Sequence, residues 1–105
     1  MESATNSLIQ LSNPLRSALL KFGDHDIRFC HWKSNRNLVD ALEGRDDFDL
    51  LVHPDDVDQA INQLTSSGFR LMKTDFDFFQ PKLKHFYAFG TEGQKFHVHL
   101  YPEIW

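Results

Sequence analysis

Two carboxylates one residue apart open the apolar run Asp47-Phe48-Asp49-Leu50-Leu51-Val52. Aspartate is depleted in strands and costs free energy wherever it is desolvated. Alternate residues of a strand face the same side, so Asp47 and Asp49 point together, about 6–7 Å apart along the chain. Like charges held that way call for a cation or a proton between them. The chemistry that suits them is a divalent metal that also holds phosphate oxygens. A plainer reading is available, because Gly44-Arg45-Asp46-Asp47 is turn-like and accounts for Asp46 and Asp47. It leaves Asp49, inside the apolar run, unexplained.

The elements around the pair are set by pattern. Residues 7–22 read as helical with a break at Ser12-Asn13-Pro14, where Asn or Ser caps and Pro takes the first helical position. Leu15, Ala18, Leu19 and Phe22 recur at helical spacing, and Gly23 can end the helix. Residues 27–32 read as a strand, with Ile27, Phe29 and His31 on one face and Arg28, Cys30 and Trp32 on the other. The polar Lys33-Ser34-Asn35 then begins a short helix over 36–42, which Gly44 ends. The acidic strand, 47–52, is apolar on both faces after its carboxylates, the pattern of a central strand. Pro54-Asp55-Asp56 opens an amphipathic helix with Val57, Ala60, Ile61 and Leu64 as its buried stripe. Gly68 ends it, and 69–73 returns as a strand. Residues 84–89 and 95–101 flank the hairpin turn Gly90-Thr91-Glu92-Gly93. The expected fold is therefore α/β (α+β), a mixed sheet with helices mainly on one face.

Strand, polar turn, short helix and acidic strand form a phosphate-handling arrangement. Ser34 offers a hydroxyl and backbone N–H groups at a helix start, and twelve residues separate it from Asp47. Here the chain resembles the DNA polymerase beta-type nucleotidyltransferase superfamily. The matching residues are Lys33-Ser34 and Asp47-Phe48-Asp49-Leu50, within a resemblance that spans residues 27–101. The stretch Asp49-Leu50-Leu51-Val52, the helix after it and Gly68-Phe69 look like aminoglycoside and lincosamide nucleotidyltransferases. Trp32-Lys33-Ser34-Asn35 with Gly44 looks like bacterial nucleotidyltransferase-like domains.

The resemblance implies that Asp47 and Asp49 hold Mg²⁺ (or Mn²⁺) bridging the phosphates of a nucleoside triphosphate, ATP first among them. Lys33, Ser34, Asn35 and Arg45 would bind the phosphates. An acceptor hydroxyl would attack the α-phosphorus and release pyrophosphate. Two departures stand against full catalysis. Lys33 occupies the place where such proteins often carry Gly. In Phe96-His97-Val98-His99, His97 stands where active enzymes carry a third acid, so His97 is the candidate base or ligand. Glu103 or a further domain is left to supply the acid. The alternative is a catalytically degenerate nucleotide- or partner-binding domain of the same fold, toxin–antitoxin-like or part of a multidomain protein.

Rival signals are weaker. His97, His99 and Glu103 are spaced like one metal motif of cupins, suiting Zn²⁺, Fe²⁺ or Mn²⁺. A cupin is an all-β jelly roll, however, and this chain has convincing helices. The plain reading of the two histidines is the polar face of a half-exposed strand. Trp32 and Cys30 read as core residues. Arg36 and Arg45 read as solvated unless phosphate is present, Asp55, Asp56 and Asp58 as helix-start electrostatics, and Asp75 and Asp77 as loop or edge.

Composition narrows the partners. A net charge of −4 provides no general field for nucleic acid, so a polyanion would be met only through a local metal site. The 105 residues suit a single domain over 1–105, read as the N-terminal domain of a longer chain because Trp105 stops it on a large apolar residue. Cys30 is the only cysteine, no apolar run approaches the roughly 18–20 residues of a membrane span, and residues 1–6 carry no secretory pattern. A cytoplasmic protein with no membrane partner is expected, its site open to completion by a homodimer or a partner domain.

Overall fold

Asn13 starts the first described helix as its sequence requires. Its side chain accepts from the backbone N–H of Arg16 at 3.0 Å, and Pro14 takes the first turn of α1 (Pro14–Asp24). The Asn13 amide also donates to the carbonyl of Leu42 at 2.7 Å, tying α1 to the end of α2 (Leu38–Leu42). The structure, a computed structural model, describes residues 13–32, 38–72 and 83–102. The expectations placed on residues 7–12, on Lys33, Ser34, Asn35 and Arg36, on Asp75 and Asp77, and on Glu103 and Trp105 lie outside the described residues.

Five strands form one mixed sheet: β1 (Phe29–His31), β2 (Phe48–Val52), β3 (Arg70–Met72), β4 (Lys84–Phe89) and β5 (Lys95–Tyr101). Their order in space is β1-β2-β5-β4-β3. Only β2 and β5 run parallel; the other neighbours are antiparallel. The acidic strand is interior, as its two-sided apolar pattern requires. The hairpin strands match the sequence reading, β1 is shorter than expected, and β3 starts one residue later than expected.

Side-chain alternation sorts the sheet into two faces. Phe48, Leu50 and Val52 of β2 join Phe86, Ala88, Phe96, Val98 and Leu100 in the core. Over them lie Leu15, Ala18 and Phe22 of α1 and Ala60 and Leu64 of α3 (Val57–Ser66). The described helices thus cover one face. All three end the same way, with one residue in the left-handed region and a backbone bond reaching back five residues. At α2 that residue is Gly44, at α3 Gly68, and at α1 Asp26.

A short 3₁₀ turn, Pro54–Asp56, leads into α3. Asp56 is more than helix-start electrostatics. Its carboxylate accepts from the backbone N–H of Arg28 at 2.9 Å and from the guanidinium at 2.8 and 3.2 Å. That pairing holds the Asp56 carboxyl down to about 2. Cys30 departs from expectation too: it is an exposed free thiol, because β1 is an edge strand and Cys30 points away from the helices. Among the described residues no helix is long and apolar enough to cross a membrane.

Candidate metal centre

The face opposite the helices gathers the polar residues. On β5, Lys95, His97, His99 and Tyr101 share it by alternation, and on β4 His85 and Tyr87 lie opposite His99 and His97. The parallel pairing of β2 with β5 sets Asp49 beside His99. Asp47 precedes the strand, with its backbone N–H donating to the Asp46 carboxylate at 2.8 Å.

Asp47 and Asp49 each meet an imidazole. Asp47 Oδ1 is 2.8 Å from His97 Nδ1, and Asp47 Oδ2 is 3.8 Å from His99 Nε2. Asp49 Oδ1 is 3.3 Å from His99 Nδ1 and accepts from the Tyr101 hydroxyl at 3.2 Å. On its other side, His97 Nε2 lies 3.2 Å from His85 Nδ1. The two carboxylates differ in access: Asp47 is half-exposed, whereas Asp49 is only 2% exposed.

Electrostatics keep the cluster in defined states. Burial lowers the His97 pKa, helped by neighbouring His99 and opposed by Asp47, which favours the neutral ring. Burial, reinforced by the Asp49 and Asp47 charges, pushes Tyr101 up to about 12, so its hydroxyl keeps its proton and donates. Aromatic contacts hold the rings in place. Tyr87 stacks on His97 with centroids 4.2 Å apart, and Trp32 packs on Tyr101 at 4.7 Å. Trp32 remains 40% exposed, so it belongs to this open face rather than to the core.

Beside Asp47 lies a polar cavity of about 270 Å³ lined by Gly44, Arg45, Asp46, Asp47, Lys95 and His97. Arg45 reaches its rim but is engaged by Asp40 at 3.0–3.1 Å and by Glu43. Lys95 Nζ rests 4.3 Å from the centre of the Tyr87 ring.

The structure therefore brings together Asp47, Asp49 and His97, with Arg45 at the edge. It adds His85, His99, Tyr87 and Tyr101. His97 and His99 lie on the half-buried polar face of β5, as the plain reading has it, and that face also sets them against carboxylates. The missed residues had a signal: a hairpin that pairs 84–89 with 95–101 puts His85 and Tyr87 on the face of His97 and His99. No family model matches the chain, and no curated protein or solved structure matches it.

Proposed function

We propose that this domain binds a nucleoside triphosphate, ATP first among them, with Mg²⁺ or Mn²⁺, and transfers its nucleotidyl group to a small molecule or protein. The observation that carries the reading is the meeting of Asp47, Asp49 and His97 beside a polar cavity that also holds Lys95 and Arg45. Two carboxylates flanking the His99 imidazole favour a cation nearby, and the neighbouring ammonium and guanidinium suit phosphate oxygens. A cavity of about 270 Å³ falls just below the range of about 300–1,000 Å³ for whole-ligand pockets. It takes the phosphate end, and exposed Trp32 offers a face for the base outside it.

Bound metal would neutralise charge on the attacking and leaving oxygens. The chain's own part is positional. Asp47 orients His97 through Nδ1, and His97 is the group placed to take the acceptor hydroxyl's proton as its oxygen bonds the α-phosphorus and pyrophosphate leaves. A cytoplasmic setting, in which exposed Cys30 stays reduced, belongs to the same reading.

A second reading, nucleotide binding without transfer, draws on the burial of Asp49 and its engagement by Tyr101 and His99. Calorimetric titration of ATP with and without Mg²⁺ tests the shared part. Metal-dependent binding that disappears in Asp47→Asn/Asp49→Asn is expected. Absence of binding by any triphosphate sinks both readings. Pyrophosphate release from the bound state separates them.

A further inference from the structure

The nucleotide reading uses one of the three clustered histidines. His85, His97 and His99 come from adjacent antiparallel strands, and each offers a nitrogen within 4.8 Å of the other two. We propose that these imidazoles form a binding site for a transition-metal ion of the Zn²⁺ class that needs no nucleotide, with Asp47 behind His97 and Asp49 behind His99 rather than in this metal's shell; with the ion bound, His97 serves as a ligand and not as the base of the nucleotide reading.

Ligand spacing is the first argument. Zinc–nitrogen bonds of about 2.0–2.1 Å in tetrahedral geometry put neighbouring ligand nitrogens about 3.3–3.4 Å apart. His85 Nδ1 and His97 Nε2 are already 3.2 Å apart. The third nitrogen has to close by no more than about 1.5 Å from the 4.8 Å limit, within reach of a side-chain rotation.

The direction of the rings is the second argument. His97 turns Nδ1 to Asp47 at 2.8 Å, and His99 turns Nδ1 to Asp49 at 3.3 Å. A metal-binding histidine typically gives its other N–H to a carboxylate, which fixes the tautomer and leaves the far nitrogen for the ion. His97 makes that bond to Asp47, and His99, its alternate neighbour on the strand, sets Nδ1 beside the Asp49 carboxylate. The far nitrogen of His99, Nε2, is buried and has no hydrogen bond among the described residues. Such a nitrogen is costly to bury unless something binds it.

The donor set selects the ion. Imidazole suits Zn²⁺, Co²⁺, Ni²⁺ and Cu²⁺, whereas Mg²⁺ requires oxygen. Three protein ligands leave a fourth position for water or an oxygen of a ligand, the arrangement of reactive rather than purely structural zinc sites.

The test needs no nucleotide. Protein freed of metal by chelation is titrated with Co²⁺ and then with Zn²⁺. One equivalent of Co²⁺ with the intense visible absorption of a tetrahedral ion, displaced by Zn²⁺, is expected. His85→Ala, His97→Ala and His99→Ala should each weaken binding more than 100-fold, and Asp47→Asn about 10–100-fold. X-ray absorption of the Zn²⁺-loaded wild type decides the matter even if a variant fails to fold. Three imidazole nitrogens at about 2.0–2.1 Å support the site, and an oxygen-only shell overturns it. Failure to bind Co²⁺ or Zn²⁺ overturns it as well. So does Co²⁺ binding that survives His85→Ala and is lost in Asp47→Asn/Asp49→Asn, which assigns the metal to the carboxylates. ATP titration with Mg²⁺ reads the nucleotide proposal separately.

Discussion

Asp49 shows how much a single side chain can hold in place. It is a carboxylate in the sheet interior, and Tyr101 and His99 are among the groups that make this tolerable. Hydrogen bonds to charged groups are worth about 1.5–3 kcal/mol, so Tyr101→Phe is expected to destabilise the domain by about that amount in denaturant melts. A change below about 0.5 kcal/mol would mean that the hydroxyl bond is incidental. At this scale the sequence was readable wherever strand period alone decides direction. Alternation put Asp47 and Asp49 on one side, Asp49 stood out as an acid in an apolar run, and His97 was singled out by the family resemblance. His85 and Tyr101 were not found, because their meeting depends on which residues pair across strands. The turn Gly90-Thr91-Glu92-Gly93 invites a two-residue loop. The backbone instead pairs Gly90 with Gln94 around three residues, and Gly93 takes the left-handed position. A slip of one residue would put His85 on the helix side, so the missing information was register.

Among the elements, the turn between α2 and β2 carries the most consequence for its length. Gly44 sits at φ +81°, and a Cβ there would meet the Lys95 carbonyl and the Phe96 ring at 3.3 Å. Only glycine satisfies both the backbone angle and the close approach to β5. Gly44→Ala should cost about 1–3 kcal/mol in stability. Because the same turn lines the polar cavity, the substitution should also weaken triphosphate binding measured by calorimetry. Unchanged affinity in a folded variant would separate the turn from the site. Element types were legible because cap chemistry and period agree at α1, α3 and the hairpin. Lengths were less so. Strand β1 is only three residues long at the sheet edge, although Arg28 and Trp32 on either side still bond the backbones of His53 and Asp49. The end of α1 was displaced as well: Gly23 looks like the natural stop, yet Asp26 takes the left-handed position.

Across the whole molecule, the helix layer and the sheet are clamped by Arg28 and Asp56 at the point where β1 and α3 begin. The Asp56 carboxyl titrates near 2 in the folded protein, below its ordinary value of 3.8. The folded state therefore binds that proton less readily than the unfolded chain, and the pairing stabilises above about pH 4. The contribution should fade as pH falls from about 4 towards 2. Asp56→Asn is expected to be less stable than wild type at pH 7, with the two melting curves converging as the pH falls through that window. A stability difference that stays constant from pH 7 to pH 2 would refute the linkage. The mixed sheet with helices on one face was legible as a class, since helical and strand periods alternate along the chain. The strand order was not, because nothing in a local pattern says that β5 will insert between β2 and β4.

That insertion has a consequence for synthesis. The last of the five strands to leave the ribosome is the middle one in space. Until it emerges, β2 and β4 have no common neighbour, and each keeps an unpaired edge that neighbouring nascent chains could join. Asp47 waits for a partner fifty positions downstream, and Asp49 for one fifty-two away. The face that carries the three histidines is thus complete only once β5 has joined the sheet, and a ligand bound there would report that the sheet has closed around its central strand.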